Sequence, residues 1–355
     1  VKAGRRWPMP RTMGERTGRD RGLLATLLLS GCAASDVLPP PLETAEVPRI
    51  LVIHSRPRGH RAADRFDAGF DRVAATRGRF RVERHALSPG AAGGAFALAV
   101  IEGWRPAVVV TVGDAAQTAV GRHLVDRADP LLVYADVRAD PARFGYERGR
   151  AWGLVERPRF DASAALVDDL VARIDRVGLL FEDSRAGIAA EAWAPEARLA
   201  ERVVASARVG SLGAWRGALR RFQGEVDAVG VWLEGPLPTA RGALVSPPAL
   251  LARARRILEV PVFGFTAEAV EAGALVGQVR SDEATGAAAA ELACALALGE
   301  APAPGEYPAP AGLAVVNEGA LAAFGLRLGP TLLERYDRRV PGAAAVASSA
   351  APAAR

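Results

Sequence analysis

Residues 107–114 read Ala-Val-Val-Val-Thr-Val-Gly-Asp, and the character of this stretch decides the architecture. From Ala107 to Val112 the run is almost continuous in Ala and Val, without polar alternation. Strands buried on both faces of a parallel sheet have that composition, whereas a strand with one wet face alternates. Working outward, 49–54 is a short apolar run ending in a loop, and 62–75 carries Phe66, Phe70 and Val73 at helical spacing. A second strand is expected over 79–87, a second helix over 95–104, and 131–135 repeats the apolar strand pattern. The first half therefore alternates strand and helix, which calls for a doubly wound parallel sheet.

The beat restarts after a looser stretch, 138–152. Helices at 162–174, 189–200, 215–222 and 248–258 alternate with strands at 176–181, 202–206, 228–233 and 260–265. The expected fold class is α/β, two similar doubly wound parallel-sheet lobes joined by a hinge. A helix at 281–299 and a strand at 312–317 must pack back onto these lobes, so the chain crosses between them more than once. The expected division is an N-terminal lobe of 47–137 plus about 276–310, and a C-terminal lobe of 138–275 plus about 311–340. In such sheets the loops after the strands carry the binding groups, because helix N-termini and backbone N–H groups point outward there. Two facing sheets make a cleft that closes about the hinge.

The N-terminus is read as a targeting segment, 1–32. Arg16, Arg19 and Arg21 extend a basic start, 23–29 is apolar, and Ser30-Gly31-Cys32 follows. That is the order of a secretory signal, and the apolar run is far short of the roughly 20 residues that cross a bilayer. Residues 33–46, with Pro39-Pro40-Pro41, are expected to be a tether, and 341–355, rich in Ala, Ser and Pro, a disordered tail.

Charge excludes a nucleic-acid surface. The 45 Lys plus Arg outnumber the 40 Asp plus Glu by five, but Lys2 is the sole lysine, and the arginines of 61–71 and 253–259 are interleaved with acids. A binding face for nucleic acid clusters its cations instead. Cys294, within the apolar stretch 290–298, is expected to be buried, so no disulfide is predicted. His54, His60, His85 and His123 have no metal-ligand spacing, and no metal or cofactor is expected.

Several segments resemble the ABC transporter substrate-binding protein family, of the type I periplasmic-binding fold and like its tryptophan-binding lipoproteins. Leu29-Ser-Gly-Cys32 is similar to the lipobox, which implies lipidation of Cys32. Ile50-Leu-Val-Ile-His-Ser55 looks like the family's opening strand and first ligand loop, and 131–141 (LLVYADVRADP) like a strand with its Asn/Asp-rich turn. Trp152-Gly-Leu-Val-Glu156 resembles the way into the second lobe, and 178–184 (GLLFEDS) its strand and ligand loop. The most specific segment is 260–277 (VPVFGFTAEAVEAGALVG). One departure is Arg56 and Ala62, where a subgroup carries an aromatic residue and a Trp; this makes the first-lobe side more basic and an anionic ligand group more plausible.

The candidate ligand-binding residues lie at strand ends. Ser55 either donates to a ligand carboxylate or caps a helix, and Arg56 either pairs with an anion or is a solvated arginine. Asp114 either grips a ligand amine or caps the helix beginning at Ala115, and Asp136 is placed similarly. In the second lobe Asp183 and Ser184 end one strand. Trp232 either stacks on a flat ligand or belongs to the core, and Phe265 and Glu268 close the last strand.

The resemblance implies an extracytoplasmic, lipid-anchored monomer that captures an amino acid, purine or small anion and delivers it to ABC permease subunits. A sensor feeding a membrane signalling protein is the alternative on the same domain. An α/β enzyme is the contrasting class. Catalytic residues are expected to be none: no Gly-x-Ser-x-Gly elbow, phosphate loop or HExxH is present, and Cys294 alone cannot serve a two-thiol racemase.

Overall fold

The first lobe is built from β1 (Arg49–His54), α1 (Arg61–Arg77), β2 (Arg81–Ala86), α2 (Ala91–Trp104), β3 (Val108–Val112), α3 (Asp114–Ala119), β4 (Leu131–Val137) and β5 (Ala151–Val155). The structure is a computed structural model that describes residues 46–341 apart from 148, 172–173 and 301. The expected signal segment with Cys32, nearly all of the tether and the tail lie outside the described residues.

The second lobe follows: α4 (Phe160–Val171), β6 (Val177–Glu182), α5 (Arg185–Trp193), β7 (Val203–Val209), α6 (Leu212–Phe222), β8 (Ala228–Trp232), the short hairpin β9 (Leu237–Pro238) and β10 (Leu244–Val245), α7 (Pro247–Ile257), β11 (Val262–Gly264), α8 (Ala267–Ala272) and β12 (Val276–Val279). The chain then returns to the first lobe for α9 (Asp282–Ala297) and β13 (Gly305–Pro308). It ends in the second with β14 (Leu313–Asn317), α10 (Glu318–Ala323), α11 (Pro330–Leu333) and β15 (Arg338–Val340).

All six strands of the first sheet are parallel, in the order β13-β5-β4-β3-β1-β2. Alternate residues of its central strands point to opposite faces, as the pleat requires. Ile50, Val52, Val108, Val110 and Val133 pack against Phe66 and Phe70 of α1 and Ala289, Ala293 and Cys294 of α9. Leu51, Ile53, Val109 and Leu132 pack against Ala97 and Ile101 of α2 and Ala116 of α3. Both faces are covered, which is why 107–112 has no polar alternation. Glycine lets α1 and α9 touch backbone to backbone. A Cβ on Gly286 would fall 2.0 Å from the Phe66 carbonyl oxygen, and one on Gly69 1.9 Å from that of Glu283.

The second lobe repeats the scheme with four parallel strands in the order β11-β8-β6-β7. Leu180, Val229 and Val231 face Trp215 and Phe222 of α6 and Leu250 of α7, while Leu179, Phe181 and Ala228 face Phe160 and Val167 of α4. A small sheet, β12-β14-β15, flanks it, with β12 antiparallel to β14. The two-lobed α/β expectation holds.

Two boundaries differ from the sequence reading. β5 pairs with β4 in the first sheet, so the first crossing lies at 156–159 and not at 137/138. The stretch 138–150 reads as a break because it is a loop with a 3-10 turn (Pro141–Phe144), whose Tyr146 stacks on Tyr134 with ring centroids 4.4 Å apart. Residues 276–279, expected in the first lobe, pair with β14 as β12, so the return crossing begins at Arg280. The helix expected over 189–200 starts at Arg185, capped by Ser184, and ends at Trp193. Pro195 then tightens the chain into short 3-10 turns.

Candidate functional site

The carboxyl ends of β1, β3 and β4 bring Ser55, Asp114 and Asp136 together on the first lobe. Ser55 Oγ accepts the Ala116 N–H at 2.8 Å, capping α3 across the gap between two strands. Gly113, at φ 84, lets the chain pass beneath it; a Cβ there would sit 2.9 Å from Ser55 Oγ. Asp114 does not aim at an open space: its carboxylate accepts the Arg138 N–H at 3.0 Å and the Ala139 N–H at 3.4 Å, fixing the loop after β4.

Asp136 is the strained residue of this edge, held at φ 54 in the left-handed region that non-glycine residues avoid. The conformation turns its carboxylate onto Arg280 of the return crossing, which also meets Asp282 Oδ1 at 2.5 Å. Arg56 borders the same hollow and lies 3.2 Å from His60 Nε2, with no carboxylate in contact among the described residues.

On the second lobe the strand ends divide. Asp183 is more than half exposed and pairs loosely with Arg208 at 3.5 Å. Ser184 caps α5 through the Gly187 N–H at 3.1 Å and donates to Glu182 at 2.7 Å. Neither lines the cavity formed by the other candidates. Glu182 in turn accepts the N–H groups of Glu234 and Gly235 at 2.8 and 2.9 Å, which shapes the loop after β8.

That loop and the crossings enclose a cavity of about 50 Å³, lined among others by Arg138, Glu156, Arg159, Trp232, Glu234, Phe265, Glu268 and Arg280. That is room for a few water molecules, so the cleft here is nearly filled by the protein's own side chains. Trp232 and Phe265 line it from the second-lobe core, at 6% and 3% exposed, and Phe265 is set edge-on to Phe160 at 4.7 Å. Glu268 stands at the exposed rim and also borders the neighbouring hollow beside His60 and Arg65.

Arg138 spans the two lobes. Its Nη1 lies 2.8 and 2.9 Å from the two carboxylate oxygens of Glu234, and its guanidinium sits 5.8 Å from the Trp232 ring centroid. Trp193 Nε1 donates to the Arg138 carbonyl at 3.2 Å, and Arg61 meets Glu271 of α8 at 3.4 Å. The lobes are thus drawn together by their own ion pairs. The middle of the cleft holds arginines already matched to acids.

Three polar groups in the wall are left over: Trp232 Nε1, Arg159 Nε and the Glu156 carboxyl. Trp232 is 6% exposed and its indole N–H has no acceptor. Glu156 is 8% exposed; its N–H donates to the Val137 carbonyl at 2.8 Å, but its carboxyl has no hydrogen-bond or ion-pair partner among the described residues. Burial pushes its carboxyl up to about 7, against the nearby charges of Arg159 and Arg138. Arg159 itself donates to the carbonyls of Ala309 and Pro310 on the third crossing.

Five of these groups escaped the sequence reading: Arg138, Glu156, Glu234, Arg280 and Asp282. Each lies one to three residues beyond a strand end or on a crossing. Recognition of β5 and β12 as strands would have exposed Glu156 and Arg280. No group of His, Cys, Asp and Glu that could hold a metal ion occurs among the described residues, and no helix there is long and apolar enough to cross a membrane.

No protein-family model matches the chain, and no curated protein matches it. Solved structures do. A ligand-free, open substrate-binding protein with adhesive properties from Clostridium difficile superposes with a TM-score of 0.66 at 17% identity, covering 83% of this chain and all of that one. The fold is that of the type I periplasmic binding proteins. An ABC domain in complex with L-Trp from Streptococcus pneumonia gives 0.60 at 17% identity, covering 82% of this chain and 99% of that one. A periplasmic ribose ABC transporter from Conexibacter woesei gives 0.53 at 15% identity, with 82% and 98% covered. At these identities the likeness concerns the periplasmic-binding fold alone.

Proposed function

We propose that the protein is an extracytoplasmic solute-binding protein that captures a small molecule between its lobes and hands it to an ABC importer, tethered to the membrane by a lipid on Cys32. The observation that supports the reading is the hinge-side cleft between two facing strand-end loops, with Trp232 Nε1 and Arg159 Nε buried unpaired in its wall and the Glu156 carboxyl without an ion-pair partner among the described residues. Buried polar groups are nearly always paired, and a wall that leaves the Trp232 indole and the Arg159 guanidinium with open donors suits a third party that accepts. Binding without chemistry is the simplest use of such a site: affinity comes from desolvating the ligand and completing these contacts. The Ser-Gly-Cys ending of the apolar N-terminal run and the likeness of fold support the exported, transport-linked part of the reading.

A thermal-shift screen of the purified protein against amino acids, purines, sugars and small anions tests it. A ligand present at a hundred times its dissociation constant stabilises the native state by about 2.7 kcal/mol and raises the melting temperature accordingly. Turnover of a hit would refute the transport reading. Absence of any shift across the screen would refute solute capture.

A further inference from the structure

Many arginines of this protein meet an acid from another element: Arg72 meets Glu283 at 2.6 Å, Arg202 meets Asp168 at 2.8 Å and Arg335 meets Asp169 at 2.8 Å. The outer face of the second lobe departs from this pattern. α6 (LGAWRGALRRF) and α7 (PPALLARARRI) each carry three arginines and no acid. Both helices cover the same face of the second sheet, because Trp215, Leu219 and Phe222 of α6 and Leu250, Leu251 and Ala254 of α7 bury in one core. Their polar sides point outward together, which leaves Arg216, Arg220, Arg221, Arg255 and Arg256 exposed. Arg253 folds back onto the Ala249 carbonyl at 3.2 Å. None of the six forms an ion pair among the described residues. The acids nearest along the chain do not reach them: Asp227 is taken by Arg176 at 3.4 Å, and Glu225 and Glu259, beyond the helix ends, form no ion pair among the described residues. The acid of 253–259 is Glu259 alone, and folding gathers the arginines of that stretch with those of α6.

Arg220, Arg221, Arg255 and Arg256 stand in the last turns of their helices, where the helix dipole favours a cation. The dipole does not account for Arg216, nor for the lack of any acid along two helices of 11 residues each. The β9–β10 hairpin that leads into α7 adds Arg241 and Leu244, and Leu244, at 69%, is the most exposed large apolar residue among the described residues. Cations spread over two adjacent helices, with an apolar tip at one end, suit a layer of anionic headgroups above an acyl interior. We propose that this face of α6 and α7 rests on the anionic phospholipid surface of the bilayer to which the chain is tethered, and so sets how the second lobe stands on the membrane. This rests on the membrane-tethered part of the reading above and is independent of the cleft. At physiological ionic strength exposed charges are screened beyond about 8 Å, so the contact orients an anchored domain and does not replace the anchor.

The test uses the full chain carrying Cys32→Ser, so that no acyl group contributes, and flotation with vesicles of phosphatidylcholine alone or with about one third phosphatidylglycerol, in dilute buffer and again in about 0.5 M sodium chloride. The expected result is binding to the phosphatidylglycerol vesicles alone, lost in the added salt. Replacing Arg220, Arg221, Arg255 and Arg256 together by Gln should weaken it on the order of a hundredfold, since each arginine at an anionic surface contributes roughly fivefold. Replacing Arg79, Arg122, Arg143 and Arg327 by Gln removes the same charge elsewhere and should change the affinity little. All eight side chains are exposed, and the melting temperature verifies that both variants fold. An equal loss in the two variants would make net charge the cause and overturn the face. Equal binding to both kinds of vesicle, or none to either, would overturn it as well. Binding of a DNA duplex in place of the vesicles would give the face to nucleic acid and overturn the lipid. Each of these failures leaves solute capture and the Cys32 anchor to their own measurements, the thermal-shift screen and the membrane fractionation of the lipidated chain.

Discussion

Replacing Glu156 by Gln in the ligand-free protein should make stability depend on pH in a defined way. The Glu156 carboxyl is pushed from 4.5 to about 7, first by burial. Between those values the native state keeps a proton that the unfolded chain has released. The folded state then binds more protons than the unfolded one, and wild-type stability falls as pH rises through the window. At about 1.4 kcal/mol per pH unit, the rise from 4.5 to about 7 amounts to about 3 kcal/mol. Glutamine is uncharged throughout and imitates the protonated acid in shape. The two proteins should be equally stable below pH 4.5, and Glu156→Gln should be the more stable by about 3 kcal/mol above pH 7. Urea denaturation at half-unit pH steps measures the gap, since all other titrations are common to both proteins and cancel. A gap constant with pH, or a variant less stable at pH 7.5, would mean that Arg159 pairs with Glu156 after all, and the case for an unsatisfied acid would collapse.

Asp136→Ala should destabilise by about 2–3 kcal/mol, because it strips one of two carboxylates from buried Arg280 and places alanine at φ 54. Asp136→Asn, which tolerates that conformation, should lose about 1 kcal/mol less, and equal losses in chemical denaturation would remove the strain from the account. Gly286→Ala should force α9 away from α1 and lower stability by about 1–3 kcal/mol or more, visible as an earlier thermal transition. Cys32→Ser should move the protein from the membrane to the soluble fraction of a bacterial host; continued sedimentation with membranes would argue against the lipid.

The parts of the fold visible in the sequence are those whose two faces are both dry. β1, β3, β4, β6 and β8 are short, mainly apolar runs, because helices cover each side of their sheets. β5 was hidden by Trp152-Gly153, a pair that exists because the Tyr134 ring lies where a Gly153 side chain would go. β12, β13 and β15 are three or four residues long and sit at sheet edges or in the small flanking sheet, too brief for periodicity to register. Among the site candidates, Asp136, Trp232, Phe265 and Glu268 were reachable because strand ends point into the cleft. Ser55, Asp114 and Ser184 share that placement but turn their oxygens onto backbone N–H groups, a choice set by local geometry that residue type does not reveal. Arg138 and Arg280 were invisible among many arginines, since their distinction is the acid that each meets from a distant part of the chain.

The close crossing of α1 and α9 has a bearing on how the molecule is made. A ribosome that has reached Arg280 has delivered the whole four-stranded sheet of the second lobe, yet the half that was begun first still lacks α9 and β13. Until those arrive, Phe66 and Phe70 have no Ala289 or Ala293 to cover them, and one edge of the six-stranded sheet stands bare. The opening half of the polypeptide is therefore completed only after the second sheet has been made, and a chain halted near residue 280 would present a sticky apolar face to whatever chaperone escorts it.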